Sequence, residues 1–191
     1  MTVMQQEYLR NADILLYQEP AFSRSNQPQH LFLTLKIPGF ITILPRPIDQ
    51  LRTPPANRIP RVMAYARERD DIIVVPRYDI CLDHDILVIE IQQRPHRPIL
   101  IVNLYNPPTG SAGAHSAGQR MKLLNLPDTY PTIIAGDFNL HHPDWEETTT
   151  EPVAAAKEWQ NGYKISLFRY SMYITTQCFT TATTYTIRYA T

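Results

Sequence analysis

The sequence predicts an α/β sandwich, with two mixed β-sheets packed together and helices on their flanks. Three observations lead there. Short apolar runs rich in isoleucine, valine and tyrosine recur between turn residues. Two of them, ADILLY and TIIAG, are almost wholly apolar, as strands covered on both faces are, whereas DILVIEIQQ begins to alternate. The 17 prolines concentrate in connections, notably 45–60 and 95–108, which suits ordered loops between strands and disfavours a helical bundle.

In chain order, strands are expected at Ala12–Tyr17, Phe40–Leu44, Arg61–Ala66, Ile72–Val75, Ile86–Ile91, Ile99–Tyr105 and Thr132–Ala135. Apolar residues at helical spacing place helices over Val3–Asn11 and Ser116–Leu126. A third is expected over Glu151–Gln160, which has Pro152 near its first turn and then three alanines. Residues 1–162 read as one domain. The tail, 163–191, is atypical: from Ser166 onward it is crowded with threonine, tyrosine and serine and has no acidic residue. A β-hairpin is within its propensity, but it lacks clean alternation and turn punctuation, so disorder or an out-of-frame origin is the competing expectation.

The chain has 191 residues, 43% hydrophobic and 19% charged, which describes a globular chain with a real core. No apolar stretch reaches the roughly 18 residues of a spanning helix, and Met1–Arg10 carries no signal-peptide pattern, so an intracellular protein with no membrane contact is expected. Formal net charge is zero, which excludes a global basic field. Fourteen of the 18 basic residues are arginines, however, and Arg46, Arg52, Arg58, Arg61, Arg67 and Arg69 fall in one stretch. They form a candidate phosphate-contact strip, or else solvated charges partly neutralised by Asp49, Glu68, Asp70 and Asp71. Cys81 and Cys178 have neither metal-ligand nor disulfide-framework spacing.

Three segments bring polar groups to strand ends. TIIAGDFN runs an apolar strand into Gly136, Asp137 and Asn139. A glycine there permits a turn or a close approach, and carboxyl ends of strands are where open α/β sheets keep their sites. ADILLYQEP delivers Gln18 and Glu19 before Pro20, and ILIVNLYNPP delivers Tyr105 and Asn106 before two prolines. Taken singly, each has a plain alternative as turn chemistry, loop solvation or a tyrosine packed under a loop.

In this order and spacing the three segments resemble the endonuclease/exonuclease/phosphatase superfamily, from about Asn11 to Trp159. The wording of ADILLYQEP, RVMAYARE, DILVIEI, VNLYNPP and IIAGDFNLHHPDWE is most similar to the endonuclease domain of fungal non-LTR (LINE-type) retrotransposons. The resemblance implies a DNase I-like fold and Mg²⁺-dependent hydrolysis of a DNA phosphodiester, with Mn²⁺ as an alternative ion. It implies that Glu19 binds the metal and that Tyr105 contacts the scissile phosphate. Asp137 would prepare the attacking water or protonate the leaving oxygen, and Asn139 would hold the phosphate. DNA is the implied partner, with no protein partner, and a nuclear location follows if the chain is functional. Magnesium is hard and oxygen-loving, so a carboxylate such as Glu19 suits it.

The chain also departs from that family's pattern. A first strand ending in a metal-linked asparagine is expected before Glu19 and is not found, and no histidine or aspartate follows Glu158 where a Ser-Asp-His segment belongs. His141 and His142 read as surface or substrate-edge residues. A partial fold with impaired catalysis is therefore expected, in which the strand leading to Glu19 exposes an unpaired sheet edge. The alternatives are a phosphatase of the same fold and a non-catalytic remnant with at most weak nucleic-acid binding.

Overall fold

In a computed structural model of the chain, the described residues are 12–20, 36–46, 60–107, 116–139 and 151, together with the backbone of 172–179 and 182–189. The expected helices over Val3–Asn11 and Glu151–Gln160, and His141 and His142, lie outside them, apart from Glu151 itself.

All seven strands expected in the first 140 residues form within two residues of their expected bounds. They are β1 (Ile14–Gln18), β2 (Phe40–Ile43), β3 (Val62–Arg67), β4 (Ile72–Pro76), β5 (Ile86–Gln93), β6 (Ile99–Tyr105) and β7 (Thr132–Asp137). Near the carboxyl end, β8 (Met172–Phe179) and β9 (Ala182–Tyr189) pair as an antiparallel hairpin, Phe179 opposite Ala182. Tertiary pairing there supplements a local pattern that gives no register of its own.

The strands make a five-stranded sheet, β2-β3-β1-β9-β8, and a four-stranded sheet, β4-β5-β6-β7. Only the second is mixed. The five-stranded sheet is antiparallel in every described pair, whereas β6 and β7 run parallel. The expected exposed edge at β1 is also corrected. Ile14 faces Ala66 of β3 on one side and Ile187 of β9 on the other, so β1 is an interior strand with its backbone groups paired on both sides. Flanking helices reduce, among the described residues, to α1 (Ala117–Lys122), shorter than the expected Ser116–Leu126. Ser116 caps its start by accepting the Gln119 N–H. After Lys122 the chain turns, leaving Leu123 85% exposed, and Pro127 bars the helical conformation at Leu126.

The strand period of two distributes β6 between two cores. Ile99, Ile101 and Tyr105 join Ile14, Leu16, Val62 and Ala64 between the sheets, while Leu100, Val102 and Leu104 pack with Ala117 and Met121 beneath α1. β6 is thus covered on both faces, which explains why it reads as a continuous apolar run, whereas β4 at the sheet edge alternates and leaves Ile73 exposed. Asn103 falls on the inter-sheet side. Its Nδ2 donates to the carbonyls of Met63 (3.0 Å) and Tyr17 (3.2 Å), and its Oδ1 accepts from Gln18 Nε2.

At the end of β7, Gly136 lies opposite Leu104 with φ of 141°, and a Cβ there would sit 1.8 Å from the Leu104 carbonyl oxygen. Gly136→Ala is expected to cost more than about 3 kcal/mol in urea unfolding. Gly39→Ala is the control. Its φ is 75° but the space is open, so a loss of only about 1–2 kcal/mol is expected.

Candidate active site

The parallel pairing of β6 with β7 sets Tyr105 directly beside Asp137, and the bond from the Asn106 N–H to the Asp137 carbonyl (2.7 Å) carries that alignment one residue further. β1 ends in the facing sheet at Gln18, and Glu19 follows it. The Tyr105 hydroxyl crosses the gap and donates to Glu19 Oε1 at 2.6 Å. Three of the four residues singled out in the sequence, Glu19, Tyr105 and Asp137, are therefore drawn together through the tyrosine, from two sheets. Glu19 itself is exposed and Asp137 half-buried, whereas Tyr105 is only 5% exposed.

Asn139 is the fourth. Its backbone N–H donates to Asp137 Oδ1 (3.0 Å) and its side-chain Nδ2 to the Asn106 carbonyl (2.8 Å). Asn106 is buried and fully engaged in the same corner. Its Nδ2 donates to the Phe138 carbonyl at 2.8 Å, and its Oδ1 accepts the Ala117 N–H at 3.0 Å, tying the start of α1 to the site. Glu19 and Asn139 both adopt left-handed backbone angles, with φ of 49° and 45°. Such angles in non-glycine residues persist where surrounding bonds over-determine them, and both residues here have such bonds.

Electrostatics keep Tyr105 a donor. Burial, the bond to Glu19 and its charge all raise the phenol, with Asp137 adding to the effect, and the nearby Arg61 only partly offsets them. Raised above its ordinary value of 10, the phenol stays protonated at neutral pH, so the hydroxyl is a donor that orients a carboxylate.

Beneath the site lies an ionic cluster that the sequence reading did not single out. Asp85 has a fully buried side chain. It receives Arg61 through Nε (2.5 Å) and Nη2 (2.6 Å), and Arg120 through Nη2 (2.5 Å). Arg120 also reaches Asp83 at 2.6 Å. His84 sits between the acids, Nδ1 3.5 Å from Asp83 and Nε2 3.3 Å from Asp85. Asp83, His84 and Asp85 are close enough to suggest cation ligands. Two guanidinium groups already neutralise them, so the cluster is an ion-pair hub. The only hint in the sequence was the Asp-His-Asp run itself.

The arginine strip does not face outward as a set. Arg61 is committed to Asp85, and Arg67 donates to the Ala12 carbonyl (2.9 Å) and lies over Phe40. Arg69 pairs with Asp13 (2.9 Å) and Asp71 (2.6 Å). Arg52 and Arg58 fall outside the described residues.

Residues 99–188 match the protein-family model described as endonuclease-reverse transcriptase. The matched stretch takes in β6, α1, β7 and the β8–β9 hairpin, and with them Tyr105, Asp137 and Asn139, while Glu19 precedes it. No curated protein and no solved structure matches the chain. No described helix is long and apolar enough to cross a membrane.

The hub gives a pH signature. Burial depresses His84 below its ordinary 6.5, outweighing the pull of Asp85 and Asp83. A depressed base favours folding while neutral, so this stability is present above pH 6.5 and is lost as pH falls below that value. Burial acts to raise Asp83, but the Arg120 bond prevails and holds it below 3.8, adding a second loss at more acid pH. In thermal unfolding between pH 8 and 2, His84→Gln is expected to remove the decline that begins near pH 6.5 and to leave in place the acid limb, which begins as pH falls below 3.8.

Proposed function

We propose that the chain carries the DNase I-like fold and the site of a Mg²⁺-dependent DNA endonuclease of the endonuclease/exonuclease/phosphatase type, built on Glu19, Tyr105, Asp137 and Asn139, with its catalysis impaired. The observation that carries this reading is the meeting of an exposed carboxylate and a half-buried one around a single buried phenol, at strand ends of two facing sheets.

The donor set fits magnesium. Glu19 keeps one carboxylate oxygen beyond the one bound to Tyr105, and Asp137 keeps one beyond that bound to the Asn139 N–H. Hard carboxylate oxygens with room for water and phosphate are what Mg²⁺ takes, and Mn²⁺ accepts the same set. When bound, the ion would neutralise charge developing on the phosphate. Glu19 would hold it, oriented by the Tyr105 hydroxyl. Asp137 is the group to accept a proton from an attacking water, and the Asn139 N–H steadies that carboxylate. The second hydrogen of the Asn139 amide is assigned to a phosphate oxygen, the first being committed to Asn106.

A second reading, a non-catalytic remnant with weak nucleic-acid binding, is favoured by one observation. Of the four described arginines in the strip, Arg61, Arg67 and Arg69 are tied to internal partners, which limits the charge presented to a DNA backbone, whereas the Arg46 Nε has no hydrogen-bond partner among the described residues.

Plasmid nicking separates the two. Mg²⁺-dependent nicking is expected from the wild-type chain and not from Glu19→Ala. Asp137→Asn should lower the rate by a factor of about 10² to 10⁴. Tyr105→Phe, which removes one hydrogen bond to a charged group, should lower it by about 10- to 100-fold. Equal background in all four proteins would establish the remnant.

A further inference from the structure

Four residues form a closed circuit across the two sheets. The Glu19 N–H donates to the Arg61 carbonyl (2.8 Å), and the Arg61 guanidinium grips Asp85 with two parallel bonds. The Asp85 carbonyl accepts the Tyr105 N–H (2.9 Å), and the Tyr105 hydroxyl returns to Glu19 (2.6 Å). Inside that ring the Arg61 guanidinium lies 5.2 Å from the centroid of the Tyr105 ring. The Arg61 N–H also donates to the His84 carbonyl at 2.8 Å, so its backbone joins the tip of β1 to the turn that carries the hub.

We infer that Arg61 is a positioning residue for the Glu19–Tyr105 pair, fixing the phenol ring through its side chain and the Glu19 backbone through its carbonyl. The inference rests on the reading of Glu19 and Tyr105 as site residues. A planar guanidinium clamped at two atoms has its plane fixed, and its position over a ring then limits where that ring lies. Asp85 is a firm anchor because it is buried and also held by Arg120. Glu19, by contrast, is exposed and in a left-handed conformation, so its direction depends on the bonds at its two ends, and Arg61 provides one of them. Lysine keeps the charge but neither the two-point grip nor the flat face, so it replaces arginine only in part.

The test labels the protein with 3-fluorotyrosine and follows the Tyr105 fluorine resonance, assigned with Tyr105→Phe, in wild type, Arg61→Met and Arg61→Lys. This readout requires no turnover, so it stands even if the chain proves inactive. The expected result is a displaced or broadened Tyr105 line in Arg61→Met and a smaller change in Arg61→Lys. Where nicking is measurable, kcat should fall about tenfold or more with KM little changed. A Tyr105 line coincident with wild type in the folded variants would overturn the inference. So would a raised KM with that line unmoved, which would make Arg61 a direct phosphate contact. If Arg61→Met does not fold, the Arg61→Lys line decides by the same criterion.

Discussion

The candidate site depends on a polar bridge buried between the two sheets. Glu19 comes from the five-stranded sheet, while Tyr105, Asp137 and Asn139 come from the four-stranded one, so any lateral slip between sheets would separate them. Apolar packing is non-directional and does not by itself forbid such a slip. Asn103 does. It reaches from β6 to the carbonyls of Tyr17 and Met63, and Gln18 reaches back to it. Buried hydrogen bonds are costly to break without replacement, so this bridge favours one alignment over its neighbours. Gln18 immediately precedes Glu19, and Asn103 precedes Tyr105 by two residues on the same face of β6. The alignment is therefore fixed within two residues of the groups that need it.

Two further constraints act at the same corner. The absence of a side chain at Gly136 lets β7 lie tight against Leu104, which brings Asp137 level with Tyr105. Below, the buried charge of Asp85 is compensated by Arg61 and Arg120, drawn from the start of β3 and from α1. Removing one partner of such a group leaves charge stranded in a poorly solvated place. The hub thus ties β1, β3, β6 and α1 together where the site stands, and it does so with the same arginine that lies against the site tyrosine.

Much of this was legible in the sequence, for identifiable reasons. The strands were readable because their apolar runs are short, β-branched and bounded by proline or polar turns. Glu19, Tyr105, Asp137 and Asn139 stood out because each follows such a run at its carboxyl end. What stayed hidden was long-range pairing. Nothing local in Ala182–Tyr189 announces β1 as its neighbour, so β1 read as an exposed edge and is instead interior. The arginine strip read as phosphate contacts or solvated charge because Asp13 and Asp85 are distant in sequence from Arg69 and Arg61. The helix after Ser116 read too long because apolar spacing continued through Leu123 and Leu126, and periodicity does not register that the chain turns after Lys122.

The account turns on one divalent ion held at Glu19, beside groups of the facing sheet. Paramagnetic broadening by substoichiometric Mn²⁺, read on assigned backbone amide resonances, tests this directly. The account predicts that Glu19, Tyr105, Asp137 and Asn139 broaden together, while amides remote from the corner, such as Ile73 on the exposed side of β4, stay sharp. Broadening centred on Asp83–Asp85, or at Glu19 without Asp137, would contradict it.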